Sequence, residues 1–173
     1  MPTLPADVPQ AIQAIRDRDD IAAVFNVPHE HLLAAKDALY LQTAHQTPLI
    51  AGQITRQTPV NPAKLDVLQQ TLHPALLQSA GAGLVIHHRQ RTVQESPDLD
   101  GQLRAQLGEP FFQNEQYALY NVPDTETSPP AIVLSPSHAS GRIEQQGEIA
   151  FYVARSGWYL AQFSLSEARP VLR

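Results

Sequence analysis

The sequence contains no cysteine, which removes disulfides, thiolate nucleophiles and cysteine-ligated zinc together and leaves the compartment open. It has no apolar run approaching the roughly 20 residues that a membrane-spanning helix needs. Its opening, Met1-Pro2-Thr3-Leu4-Pro5, has neither the basic n-region nor the hydrophobic h-region of a secretory signal. As given, the chain is expected to be soluble. Met1 is the single methionine, which fits a start residue added to an excised fragment. A basic surface is also missing: 12 Lys and Arg stand against 17 Asp and Glu, for a net charge of -5. Nucleic acid is therefore not an expected partner, because phosphate neutralisation needs clustered cations.

Several catalytic signatures are absent as well. There is no Gly-x-Ser-x-Gly elbow, so Ser137 and His138 read as loop residues. Gly81-Ala82-Gly83 precedes an apolar run, whereas a dinucleotide fingerprint follows a strand and opens a helix. No cofactor is expected.

What is present reads as one full domain with a smaller appendage. The 173 residues are 43% hydrophobic, enough for a real core. Asp7 before Val8-Pro9 opens a short helix that ends near Asp19-Asp20. Ile21 to Phe25 is a buried strand, closed by Asn26 and Pro28. His31 to His45 has no proline or glycine, and Leu32, Leu39, Tyr40 and Thr43 share one face, which predicts a helix. Leu49 to Thr55 reads as a second strand. Asn61-Pro62 starts another helix with a Leu65-Leu68-Leu72-Leu76 stripe, split at Pro74. Leu84-Val85-Ile86 is apolar throughout and predicts a central, fully buried strand. Asp98 to Leu107 is a helix stopped by Gly108. Pro110 to Phe112 and Tyr117 to Tyr120 form a hairpin.

The alternation predicts an α/β fold over 7–122, with a mostly parallel sheet covered by helices on both faces and an antiparallel hairpin at one edge. A Pro- and Ser-rich linker follows over 123–140. The last stretch, 141–173, alternates with period two, and Ile149-Phe151-Val153 and Trp158 to Leu165 read as a β-hairpin, either packed on the first domain or part of a truncated β-domain.

Three polar groups stand out. His29-Glu30-His31 invites a metal reading, but the spacing is not His-Glu-x-x-His, and a polar loop opening a helix explains it; no metal ligands are assigned. His87 and His88 follow the central strand, where parallel strands end and sites are built, although strand ends are also where polar residues resume. Lys36, Asp37 and Tyr40 lie at helical spacing, with His45 at the helix end and Arg56 closing the next strand. These form either a polar pocket for a hydroxyl-rich ligand or a capping and salt-bridge network. The carboxylates Asp98 and Asp100 fit the first turn of a helix.

The stretch Tyr40-Leu41-Gln42-Thr43-Ala44-His45-Gln46-Thr47-Pro48-Leu49-Ile50-Ala51-Gly52-Gln53-Ile54-Thr55-Arg56-Gln57-Thr58-Pro59 resembles the Y-x-Q-T-x-H-x-x-P-I-x-G-G-Y-x-S-R-x-P pattern in soluble C-terminal regions of large bacterial membrane proteins. Those proteins are similar to the GT-C class of lipid-sugar-dependent glycosyltransferases. Asp20 to Pro28, Gly83 to His88 and Leu107 to Pro123 resemble further pieces of that region in the same order. Asn26 replaces the usual acidic residue, and Gln53 an aromatic one. The resemblance implies an extracytoplasmic module of a larger parent, with sugar transfer residing in the parent's membrane part. It implies a non-catalytic accessory role, with a glycan, a lipid-linked sugar or the parent's transmembrane part as partner. The candidate binding residues, taken from the helical spacing and the strand ends, are Asp37, Tyr40, Gln42, His45, Arg56, His87 and His88. Two other readings stay open: a small enzyme with His87 or His88 as general base, and a structural spacer.

Overall fold

The computed structural model of the chain describes residues 8–51, 62–91, 98–126, 132–134 and 151–153. Chain order gives α1 (Gln10–Gln13), continued by a 3-10 turn (Ala14–Asp17), then β1 (Ala23–Val27), α2 (Leu32–His45), α3 (Pro62–Thr71), α4 (Pro74–Ser79) and β2 (Ala82–His88). A second 3-10 turn (Arg89–Arg91) leads to α5 (Leu99–Leu107), β3 (Phe112–Gln113) and β4 (Tyr117–Asn121), followed by β5 (Ile132–Leu134) and β6 (Phe151–Val153). No helix among the described residues is long and apolar enough to cross a membrane.

The fold is α/β, with the four-stranded sheet ordered β1-β2-β4-β3. β2 is central, and Leu84, Val85 and Ile86 are all fully buried, as an unbroken apolar run requires of a strand covered on both faces. The sheet is mixed where a mostly parallel one was expected. β1 and β2 run parallel, whereas β4 runs antiparallel to both β2 and β3. An apolar strand carries no mark of its neighbour's direction; here the edge hairpin β3–β4 docks directly on the central strand. Leu49 bridges Val24 in parallel, so the predicted second strand begins beside β1. Its continuation lies outside the described residues.

Period-two alternation splits the core in two. Val24, Leu84, Ile86 and Leu119 pack with Ile12, Ile15 and Leu41 on one face, the side of α1 and α2. Phe25, Val27, Val85 and Tyr120 pack on the other with Leu68, Leu72, Leu76, Leu77, Leu103 and Leu107 of the helical segments over 62–107.

The helix ends follow local chemistry. The His31 ring nitrogen accepts from the Ala34 N–H at 3.3 Å and opens α2. Leu72 takes a positive φ of 46°, and His73 then caps α4 by accepting from Ala75 N–H at 3.2 Å, with Pro74 in the first helical position. Gly108 stops α5 at φ 85°, ψ -161°, its N–H donating to the Arg104 carbonyl. That backbone region is open almost solely to glycine.

The helix α2 is present, and the face that Leu32, Leu39, Tyr40 and Thr43 share is its outward side. Its buried stripe is Ala34, Ala38, Leu41 and His45, while Leu32 is 51% and Leu39 37% exposed and Thr43 faces solvent. Alanines on the sheet side let the helix axis lie close, with Leu41 beside them, and Leu32, Leu33 and Leu39 are left outward. The appendage holds a strand pairing that the sequence reading did not include. β6 pairs antiparallel with β5, which sits within the proline-rich stretch read as linker, and β6 runs beside α3. Trp158 to Leu165 lies outside the described residues.

Candidate functional site

Because β1 and β2 are parallel, their C-terminal ends lie side by side, the usual position for sites in open α/β sheets. Asn26 and Val27 end one strand, His87 and His88 the other. Alternation sends the two histidines to opposite faces: His88 follows Leu84 and Ile86, and His87 follows Val85.

His88 is 1% exposed. Its Nε2 lies 2.8 Å from Asn26 Oδ1. An amide oxygen only accepts, so this contact places the ring proton on Nε2 and leaves a lone pair on Nδ1. Nδ1 is buried without a hydrogen-bond partner. Tyr117 stands directly opposite on β4, its ring edge-on to the imidazole at 5.4 Å and 82°. Burial pushes the His88 pKa down to about 3, and the neighbouring basic side chains His87, Arg91 and His31 act the same way. His88 is therefore a neutral ring at physiological pH.

On the same face, Arg91 donates from Nε to Asp37 Oδ2 at 3.2 Å. Asp37 and Tyr40 of α2, His88 of β2, Arg91 of the turn after it and Tyr117 of β4 line one concavity of about 70 Å³. That is several times the roughly 10–15 Å³ one water requires. Burial, aided by the Asp37 carboxylate, raises the Tyr117 pKa and keeps its hydroxyl protonated.

On the opposite face, His87 Nδ1 lies 2.9 Å from Asp100 Oδ1, and Arg89 Nη2 lies 3.5 Å from the other oxygen of the same carboxylate. Burial lowers the His87 pKa even though Asp100 opposes it. At the end of β1 on this face, His29 Nε2 is 3.2 Å from Asp66 Oδ1. The His29 N–H is held by Gln69 Oε1 at 2.6 Å. The ligand-type atoms of His29, Glu30 and Asp66 all lie within 4.8 Å of one another.

Sequence reasoning kept Asp37 and Tyr40 apart from His88; the fold brings these three together. His87 faces the other way and meets Asp100. His45 is 1% exposed, its Nδ1 accepts from Thr47 N–H at 3.0 Å, and Gln42 donates to the Thr47 carbonyl at 3.4 Å. Both close the end of their own helix. Arg56 lies outside the described residues. Arg91 and Tyr117 were missed because each reaches Asp37 or His88 only through strand pairing. Asp66 was missed because its helix lies far along the chain from His29. His31 does open α2, as read.

No protein-family model matches the chain, nor does any curated protein or solved structure.

Proposed function

We propose that this domain is a non-catalytic binding module whose concavity at Asp37, Tyr40, His88, Arg91 and Tyr117 takes a hydroxyl-rich ligand, a glycan or the sugar of a lipid-linked donor. The observation that carries the reading is the convergence of Asp37 and Tyr40 with His88, groups from distant parts of the chain, in a single recess. Sugar hydroxyls donate and accept together, so a site for them mixes acceptors, donors and ring surfaces. Asp37 accepts, Arg91 donates, and two tyrosines supply flat faces and hydroxyls, while the buried His88 ring forms the back of the recess. The parent we infer is a membrane protein of the GT-C-like kind, with this module on the extracytoplasmic side. That inference rests on the sequence resemblance.

A catalytic role fits less well. A ring with a pKa near 3 accepts protons poorly at neutral pH. His87 has an orienting carboxylate, but its side chain is 1% exposed.

The test is a titration of the isotope-labelled chain with glucose, mannose, galactose and arabinose, followed by amide chemical shifts. Shifts grouped at 37–40, 88–91 and 117, and lost in Asp37→Asn, are the expected result. Saturating sugar that moves no resonance in those segments sinks the proposal.

A further inference from the structure

We propose that His29, Glu30 and Asp66 hold a divalent transition-metal ion of the zinc class at the end of β1, on the sheet face opposite the sugar-binding concavity.

The geometry carries this. His29 Nε2 and Asp66 Oδ1 are 3.2 Å apart, yet Nε2 makes no hydrogen bond. The two atoms are close without being aimed at each other, the relation of two donors directed at a common third point. Donors bonded to one ion at about 2.0–2.2 Å stand about 2.9–3.5 Å apart for angles between octahedral and tetrahedral, and the observed separation falls inside that range. The His29 side chain is only 7% exposed, and its backbone is pinned by Gln69 on α3. Ordering of the ligand is thus largely complete before any ion arrives. Glu30 is exposed and belongs to the group within 4.8 Å; a flexible glutamate closes the remaining gap by rotation.

The donor set selects the ion. Two carboxylates and a neutral imidazole balance a charge of +2. An imidazole nitrogen favours zinc, copper, iron or nickel over magnesium and calcium, which prefer all-oxygen shells. Three protein ligands leave a coordination position open to water or to a ligand oxygen. The ion would also tie the end of β1 to α3, since Asp66 belongs to that helix. This inference is independent of the sugar-binding reading, because the two sets share no residue.

The experiment uses the untagged full chain, stripped with chelator and titrated calorimetrically with zinc chloride, with magnesium and calcium as competitors. One zinc per chain is expected, undisturbed by the competitors. His29→Ala and Asp66→Asn should weaken binding at least about 100-fold, since losing a group that merely orients a ligand already costs about 10–100-fold. Glu30→Gln should weaken it about tenfold or more. His73→Asn, which removes a histidine outside the cluster while keeping a capping side chain, should leave it unchanged. Cobalt substitution should give a visible ligand-field spectrum that disappears in Asp66→Asn. Absence of zinc binding, or equal affinity in the wild type and His29→Ala, overturns the proposal. Should His29→Ala or Asp66→Asn fail to fold by circular dichroism, the surface variant Glu30→Gln decides: affinity equal to wild type refutes the site.

Discussion

Protonating His88 should unfold this domain from the inside, and the size of the effect follows from where the ring sits. In the unfolded chain a histidine titrates near 6.5; in the fold, burial pushes this one down to about 3. Between those values the unfolded chain binds a proton that the folded chain refuses, so stability rises with pH across that window and is lost as pH falls. The slope for one group is roughly 1–1.5 kcal/mol per pH unit. At about pH 5 His88 alone therefore removes roughly 2 kcal/mol, a large fraction of a typical domain's stability. Burial lowers the pKa values of His29, His45 and His87 too, so the whole chain loses more. His88→Gln isolates the term. At neutral pH it should cost about 1–3 kcal/mol, through the contact with Asn26 and the ring packing on Tyr117. Below about pH 6.5 its stability should fall less steeply than wild type by close to one proton, so the two curves converge. Urea titrations followed by far-ultraviolet circular dichroism, from about pH 7.5 to pH 5, measure both slopes. Parallel slopes would refute the reasoning, as would a His88 Hε1 resonance that titrates near 6.5.

Two further outcomes test the packing. Ala38→Leu should destabilise by about 1–3 kcal/mol because the fully buried alanine sets how closely α2 approaches the sheet, whereas Leu39→Gln on the outward face should stay within about 0.5 kcal/mol; thermal melts of the pair decide whether the helix face is assigned correctly. Gly108→Ala should cost about 1–3 kcal/mol, since a Cβ there meets no atom within 4 Å and the whole cost is backbone strain at φ 85°; an unchanged melting temperature would contradict it.

The parts legible in the sequence were those fixed by local rules. The run Leu84-Val85-Ile86 announced a central strand, Pro74 a break between helices and Gly108 a helix stop, because each acts through its own backbone or its own burial. The edge hairpin was legible for the same reason. Choices made between elements were not. Which face of α2 turns inward was not legible, because the sheet selected small side chains, Ala34 and Ala38, for close approach. Strand direction beside β2 left no trace in an all-apolar segment, and neither did the pairing of β6 with β5. The concavity was half legible. Its helical pair Asp37 and Tyr40 and its strand-end histidine were each singled out, but Arg91 and Tyr117 join them only through the register that sets Tyr117 opposite His88.

The mixed sheet also dictates an order of assembly. β3 and β4 are joined by a short turn, with Gln113 paired to Ala118, whereas β1 meets β2 at Val24 and Leu84, sixty residues apart in the chain. Closing the longer loop costs roughly 2 kcal/mol more in chain entropy than closing the hairpin. On loop closure alone the hairpin is expected to form first, with β2 and then β1 added across successively longer loops. On that order, amides of β1 should be the first of the sheet to exchange when the domain opens.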